Sequence, residues 1–207
     1  KKYSKVVLGG DGGDELFGGY SHYNKVLLLK KIKSLLPFLP YEKISNFICK
    51  NLSLGSKGRH WLNLLDINLN ENLPIVPIFF DRFEKNKLIQ KKKLDIDFIT
   101  DNLFSYENTQ DVVFDNTLQN FKNYLTENLL VKIDRASMAN SLEVRSPFLD
   151  KDLIEFAFYN LSSGNKVTYF NKKIFLKQLA SSILPKNFNL NRKHGFVIPL
   201  NEWLKKG

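Results

Sequence analysis

The side chains best suited to chemistry lie in one acidic, glycine-rich stretch near the start of the chain. Its sequence is VVLGGDGGDELFGGY, residues 6–20. A glycine-rich turn between a strand and a helix brings backbone N–H groups close to a phosphate. Asp11 and Asp14, one turn apart, could hold Mg²⁺ on a nucleotide or accept a proton. The alternative is an aspartate that only caps the helix of an ordinary strand–turn–helix connection.

This stretch does not fit the common nucleotide-binding or calcium-binding patterns. The dinucleotide-binding fingerprint requires a glycine where Glu15 stands, and the Gly-Lys-Ser/Thr of a Walker loop is absent. Gly13 stands where a third acidic ligand of an EF-hand is needed. What remains is the pair Asp11 and Asp14 on a glycine-rich turn, which either serves a phosphate or metal site of another kind or only caps the helix.

A second stretch mixes charges with small and apolar residues instead of placing them on one outer face. It is LLVKIDRASMANSLEVRSPFLD, residues 129–150, with Asp134, Arg135, Glu143 and Arg145 among its charges. Charges in such surroundings are predicted to be partly buried and paired, because an unpaired buried charge is costly. They either contact a substrate or form an ion-pair network that holds two helices in register.

The third stretch is LPKNFNLNRKHGFVIPLNEWL, residues 184–204. Lys193 lies beside a Gly-Phe turn and a proline, in a loop able to present an ammonium group to a phosphate or a developing anion. It could equally be one more exposed lysine. The three histidines, His22, His60 and His194, have no metal-ligand spacing, so no zinc site is predicted.

The elements that must position these side chains are mostly helical. Residues 5–8 predict a short buried strand, and a helix begins near residues 14–17. In residues 109–130 the apolar positions recur at spacings of four, three, four and four, the mark of one helix face. Further helices are predicted at 23–36, 41–54, 59–69, 150–161 and 171–184. The chain is predicted to be α/β, with one strand at the front and helices elsewhere.

Composition limits the possible classes of protein. The chain has 207 residues, of which 43% are hydrophobic and 13% aromatic, so it can bury a core. Its net charge of +10 suits polyanionic partners, nucleotide phosphates included, although dispersed lysines more often form solvated faces. The only cysteine, Cys49, excludes an intrachain disulfide and fits a reducing, cytoplasmic compartment. No run of 18 apolar residues predicts a membrane span.

Taken in order, the three stretches resemble the synthetase domain of the glutamine-dependent asparagine synthetase family, whose relatives include β-lactam synthetases and lasso-peptide cyclases. The first is similar to the pattern S-G-D/E-G-G/S-D-E-L/V-F-G-G-Y. The second matches L-L-x-K-x-D-R-x-S-M-A-x-S-L-E-x-R-x-P-F-L-D almost letter for letter. The third resembles L-P-x-x-x-x-x-R-x-K-x-G-F-x-x-P-L-x-x-W-L. The resemblance spans residues 5–205, with residues 24–108 only loosely constrained.

The resemblance implies a pyrophosphate-loop ATPase domain, of the adenine nucleotide α-hydrolase-like type, that lacks its first strands. Such domains adenylate a carboxylate with ATP and Mg²⁺, release pyrophosphate, and let an amine displace AMP. In asparagine synthetase the carboxylate belongs to aspartate and the amine is ammonia from glutamine. Residues 1–207 are therefore expected to be part of a synthetase domain, and the whole enzyme could form a homodimer. The glutaminase domain and the S-G-G-x-D-S pyrophosphate loop are expected upstream, so the 207 residues alone should be inactive.

The resemblance also assigns roles to individual residues. Asp11 would activate the amine or help to form the acyl-adenylate, Asp14 would bind Mg²⁺, and Lys193 would stabilise the charge that develops during the reaction. The ATP phosphates would be lined by Gly9, Gly10, Gly12 and Gly13. A pocket wall, in a substrate-orienting or a structural role, would be built by Asp134, Arg135, Glu143 and Arg145.

Three positions depart from the family pattern. Gly9 replaces a serine and so removes a hydroxyl contact to a phosphate, Asp11 replaces the more common glutamate, and Asn191 stands where an arginine is frequent. One alternative is the same chemistry on another carboxylate and amine, as in enzymes of surface-polysaccharide or peptide natural-product synthesis. An alternative of another class is a basic nucleic-acid-binding or scaffold module, which the dispersed lysines disfavour.

Overall fold

The computed structural model describes residues 3–53, 56, 58–66, 69, 109–191 and 200–206. The chain divides into two units, Lys1–Ile174 and Phe175–Gly207. Lys193, predicted to be catalytic, lies outside the described residues.

A two-stranded parallel sheet joins the first two motifs. Strand β1 is Val6–Leu8 and strand β2 is Glu143–Arg145, with Val7 opposite Val144. The pairing is extended beyond the strand ends, where Gly9 N donates to Arg145 O at 2.7 Å. The residues between the strands form the long crossover that parallel strands require. Both strands therefore lead into the segments that follow them at the same edge of the sheet.

Strand β2 corrects the prediction of a single strand. Strand β1 lies where residues 5–8 predicted it, but its residues are exposed and not buried as predicted, because within the described residues the sheet has only two strands. Nothing in the sequence indicated β2. Its three residues, Glu-Val-Arg, are too few to show a strand pattern. They become a strand because β1 offers them unpaired N–H and C=O groups, and Glu143 N donates to Lys5 O at 2.8 Å.

The helices after the first loop follow the prediction closely. Helix α1 is Gly13–Phe17 and α2 is Ser21–Leu35, which ends before Pro37 because the residue preceding a proline avoids helical geometry. Helix α3, Tyr41–Asn51, stops three residues short of its predicted end. Helix α4 is Arg59–Leu62, followed by a 3₁₀ turn at Asn63–Asp66. A core cluster joins α2 and the 3₁₀ turn to the next helix, through Val26, Leu29, Leu64, Leu69 and Val112.

The longest helical segment confirms the predicted helix at 109–130 and extends beyond it. It consists of α5, Val112–Gln119, a π-helical stretch, Asn120–Leu130, and α6, Val131–Met138, without an interruption of helical backbone geometry. The Asp111 carboxylate caps it by accepting from the N–H groups of Val113 and Phe114, at 3.0 and 3.1 Å. This segment carries the chain from the first core cluster to the turn that precedes β2.

After β2 come a 3₁₀ turn, Pro147–Leu149, helix α7, Lys151–Glu155, and a π-helical turn, Phe156–Asn160, which together confirm the helix predicted at 150–161. The remaining helices are α8, Ser163–Lys166, α9, Ile174–Ile183, and α10, Leu200–Lys206. The protein is thus mostly helical with a small parallel sheet. Within the described residues, the helices are too short or too polar to cross a lipid bilayer.

Candidate active site

The glycine-rich loop between β1 and α1 packs tightly against the end of the second motif. Gly12 has φ +87°, and a methyl group there would overlap the side chain of Leu149. A methyl group on Gly13 would lie 3.2 Å from the ring of Phe148. These two glycines therefore allow the Phe-Leu pair after β2 to cover the back of the loop, which is a packing role that the sequence did not reveal.

The other two glycines of the loop have different surroundings. A methyl group on Gly10 would meet nothing within 4 Å, so this α-carbon faces open space from which a ligand can approach. A methyl group on Gly9 would lie 2.6 Å from Asp11 Oδ2 and 3.1 Å from Val144 Cγ1. The serine that the family pattern has at this position would here need the Asp11 carboxylate to shift. Gly10 is the glycine best placed to offer its backbone to a phosphate.

Asp11 is joined to the second motif by a hydrogen bond. The Ser146 hydroxyl donates to Asp11 Oδ2 at 3.3 Å, and both residues are half-buried. Sequence reasoning missed Ser146, although it stands directly between two named features of the second motif, Arg145 and Pro147. The bond orients one oxygen of a carboxylate that can accept a proton.

Next to this pair lies a pocket of about 250 Å³. Its polar lining comes from Asp134, Ser137, Glu143 and Ser146, and its apolar lining from Leu130, Ile133, Met138, Val144 and Leu149. Two carboxylates and two hydroxyls make it rich in hydrogen-bond acceptors, which suits a bound ammonium or amine group. The structure thus places Asp134 and Glu143 at one pocket, beside Asp11.

The two arginines predicted for the pocket wall are not part of its lining. Arg145 Nε donates to Glu143 Oε1 at 2.6 Å, and both side chains are more than half exposed. Arg135 lies on α6, also outside the lining. Glu143 and Arg145 thus form an ion pair, but within the single strand β2 and not between two helices. The prediction that the four charged residues are partly buried is wrong: Asp134, Arg135, Glu143 and Arg145 are all exposed.

Asp14, the predicted metal ligand, forms an ion pair with Lys173, whose Nζ lies 2.7 Å from Asp14 Oδ1. A quarter of the Asp14 side chain remains exposed. Lys173 had no signal in the sequence, because it comes from a loop far along the chain that only the fold brings to α1.

Behind Asp14 lies a buried polar cluster. Glu15 is 1% exposed, and the Tyr20 hydroxyl donates to its carboxylate. Burial raises the pKa of Glu15 and that of Tyr20, whose phenol is therefore neutral at physiological pH. The Asn120 side-chain nitrogen lies 2.8 Å from both His22 Nε2 and the Tyr23 hydroxyl. The cluster anchors α1, and so the loop and Asp14, to the long helical segment.

In the second unit, Asn191 accepts a hydrogen bond from Lys177 Nζ at 2.8 Å through its side-chain oxygen. This contact gives a structural role to one departure from the family pattern. The neighbouring Arg192 and Lys193 lie outside the described residues, so the catalytic role of Lys193 stays a prediction.

The donor set around the loop fits a hard divalent cation such as Mg²⁺. Within the described residues there is no group of three or more histidine, cysteine, aspartate or glutamate side chains that could hold a metal. Mg²⁺ commonly takes only one or two protein carboxylates and fills its other positions with phosphate oxygens and water. Asp14, with a quarter of its side chain exposed, and the half-buried Asp11 are the carboxylates of this loop that could supply such oxygens.

Comparison with known proteins gives consistent matches over the whole chain. The family model described as "Asparagine synthase" matches residues 1–207. A Mycobacterium bovis protein provisionally named asparagine synthetase (glutamine-hydrolyzing) is 30% identical over the full chain, which covers 32% of that protein. Asparagine synthetase (glutamine-hydrolyzing) 1 of Bacillus subtilis is 28% identical over 99% of the chain, again 32% of its length. The chain therefore spans about a third of these relatives. No solved structure matches it significantly.

Proposed function

Because the chain belongs to the asparagine synthase family, we propose that it supplies part of the ATP-dependent, amide-forming site of an asparagine-synthesising ligase. ATP adenylates the side-chain carboxylate of aspartate and releases pyrophosphate, and ammonia derived from glutamine then displaces AMP to give asparagine. The observation that carries the proposal is the parallel pairing of β1 with β2. It brings the loop with Asp11 and Asp14 to the same edge as the acceptor-rich pocket.

Each step of the proposed reaction is assigned to particular residues of this chain. The open α-carbon of Gly10 lets a phosphate approach the backbone. The Asp11 carboxylate, oriented by Ser146, takes a proton from the attacking amine. Asp134 and Glu143 hold the amine in the pocket next to Asp11. Asp14 would hold Mg²⁺, which would supply positive charge to the leaving pyrophosphate. Lys193 stabilises the negative charge that develops at the reacting phosphate and carbonyl.

We further propose that this chain completes a pyrophosphate-loop ATPase domain. Val6, Val7 and Leu8 in β1 are 39%, 37% and 75% exposed as whole residues. Parallel strands are usually covered on both faces, so an apolar strand with this exposure supports a larger sheet in the whole protein. The relatives are about three times longer than this chain, which leaves room for the pyrophosphate loop and a glutaminase domain.

The test uses the full-length protein with ATP, Mg²⁺, aspartate and either ammonium or glutamine, and quantifies AMP, pyrophosphate and asparagine. Equal amounts of the three products are expected. Asp11→Asn and Lys193→Ala should each lower kcat by roughly 10²–10³-fold. Lys151→Ala is the matched control, because this lysine forms only an exposed pair with Glu155 on α7.

Two outcomes would change the proposal. AMP formation that requires a carboxylate other than aspartate would retain the adenylation chemistry and discard the substrate. Absence of AMP with aspartate and with a panel of other carboxylates, under both nitrogen donors, would refute the proposal as a whole.

A further inference from the structure

The ion pair between Lys173 and Asp14 covers one defined oxygen of the carboxylate. Lys173 Nζ lies 2.7 Å from Asp14 Oδ1, and this oxygen is buried. The Asp14 side chain nevertheless keeps a quarter of its surface exposed. The exposed surface therefore belongs to its other atoms, so Lys173 fixes which side of the carboxylate faces the interior and which side faces a ligand.

The chain keeps a glycine where this pair needs space. A methyl group on Gly19 would overlap Asp14 Oδ1 and the side-chain carbon Cε of Lys173. Gly19 also closes α1, because its N–H donates to the Asp14 carbonyl at 2.7 Å. The ion pair thus rests on the α-carbon of Gly19, and any larger residue would push the two charged groups away from their positions.

The backbone of Lys173 adopts a strained conformation, and hydrogen bonds with the neighbouring helix α2 hold it there. Its φ is +51°, in the left-handed region that costs a non-glycine residue roughly 1–2 kcal/mol. The loop before it is tied to α2 twice. Asn24 donates to the carbonyls of Thr168 and Asn171, and Lys172 Nζ donates to Ser21 Oγ at 2.9 Å. Strain of this kind persists where a fixed geometry is needed, most often at functional sites.

We propose that Lys173 is a positioning residue: its ammonium holds Oδ1 of Asp14 so that the exposed side of the carboxylate faces a divalent cation carrying pyrophosphate. The inference rests on the metal-binding role proposed above for Asp14. Partners that orient a metal ligand typically change metal affinity by 10–100-fold when they are removed. An arginine could replace Lys173, since it also donates to carboxylates, whereas a methionine of similar length could not.

The experiment measures binding of Mn²⁺, a spectroscopic substitute for Mg²⁺, to the full-length protein in the presence of pyrophosphate. Free Mn²⁺ is followed by electron paramagnetic resonance, and thermal unfolding is recorded in parallel. We expect Lys173→Met to weaken the Mn²⁺ affinity by about 10-fold or more, and Lys173→Arg to stay within about 3-fold of the wild type. Lys151→Met is the matched control and should leave the affinity unchanged, because Lys151 is an exposed lysine of α7 that pairs with Glu155 and lies outside the loop that carries Lys173.

A glycine pair tests the same geometry without removing a charge. Gly19→Ala should weaken Mn²⁺ binding in the same direction as Lys173→Met. Gly164→Ala, where a methyl group meets nothing within 4 Å, should not. If Lys173→Met does not fold, Lys173→Arg and the two glycine variants still test the proposal. Weaker Mn²⁺ binding by Gly19→Ala but not by Gly164→Ala supports it, and unchanged Mn²⁺ affinity in Gly19→Ala overturns it.

Several results would overturn the inference. Tighter Mn²⁺ binding by Lys173→Met would mean that the ammonium only opposes the cation, and equal binding would mean that it does not position the carboxylate. A lower Tm with unchanged affinity would mean that the pair is purely structural, and absence of Mn²⁺ binding by the wild type would remove its basis. The proposed function fails separately: Lys173-dependent Mn²⁺ binding in a protein that forms no AMP would refute the reaction and leave the positioning role intact.

Discussion

Replacing Lys166 with methionine should make the protein more stable. Lys166 is fully buried, and within the described residues its Nζ has no hydrogen-bond partner. The ammonium lies 4.8 Å from the centre of the Phe158 ring, and Asp111 gives only partial electrostatic compensation. Burial lowers the pKa of Lys166 from its ordinary 10.5 to about 8. The folded protein therefore buries the Lys166 ammonium without a hydrogen-bond partner among the described residues.

The free-energy cost follows from that pKa. At 1.36 kcal/mol per pH unit, lowering the pKa from 10.5 to about 8 corresponds to about 3 kcal/mol against the folded state at pH 7. Methionine removes this cost with a side chain of similar length, but it also loses a cation–π contact worth about 1 kcal/mol. The expected net gain is therefore about 2 kcal/mol. For a chain of this size, that raises Tm by roughly 4–8 °C.

The same pKa predicts how the gain depends on pH. Between about pH 8 and pH 10.5 the unfolded chain binds a proton at Lys166 that the folded chain has released. Stability of the wild type therefore rises with pH across this window, relative to the methionine variant. The advantage of Lys166→Met should shrink to below about 1 kcal/mol at pH 10. Comparing two variants at each pH cancels the titration of the other groups.

Urea unfolding of both proteins at pH 7 and pH 10 measures these differences. Lys151→Met is the control, because Lys151 is an exposed lysine whose surface pair contributes at most a few tenths of a kcal/mol. A methionine variant that is less stable than the wild type at pH 7 would refute the reasoning. So would a stability difference that stays constant with pH, since it would show that the ammonium is solvated or fully compensated in the native state.

Two further predictions concern the buried polar cluster. Asn120→Leu should lower the free energy of unfolding by about 2–3 kcal/mol in urea titrations, because it leaves the buried Tyr23 hydroxyl and His22 ring without their shared partner; a cost below about 0.5 kcal/mol would contradict this. Tyr20→Phe should remove a donor to Glu15, raise the pKa of that carboxyl further and cost about 1–3 kcal/mol at pH 7. The cost should fade as the pH drops below the pKa of Glu15, because the protonated carboxyl no longer needs the donor; a cost that persists at pH 4 would argue against it.

Local sequence signals predicted the parts of this protein that depend on neighbouring residues. The strand at Val6–Leu8, the helix that stops before Pro37 and the Asp111-capped helix follow from propensity, proline geometry and periodicity within one or two turns. The three motifs likewise identified the family, because each is a contiguous run of residue types. The acids of the first loop and of the pocket, Asp11, Asp14, Asp134 and Glu143, were also named from the sequence.

The long helix also shows what periodicity alone cannot predict, namely which of its polar residues are buried. The apolar face that predicted it packs as expected, with Phe114 and Phe121 against Phe158 at 5.9 and 5.4 Å. Yet the most buried positions include polar residues of α5 and the following turn. Asp115, Thr117 and Asn120 are at most 2% exposed. Their burial depends on partners such as Thr109, whose hydroxyl donates to Asp115 at 2.7 Å, and on the distant His22 and Tyr23.

Tertiary structure alone decided the contacts that assemble the site. Glu143–Arg145 becomes a strand only by pairing with β1, and Ser146 reaches Asp11 only because of that pairing. Lys173 meets Asp14 because the loop that carries it is tied to α2 and because Gly19 leaves space for both side chains. Contacts of this kind join residues far apart in the chain, and their geometry is set by how the elements pack. The sequence named the candidate reacting groups, and packing determined which partner holds Asp11 and Asp14 in place.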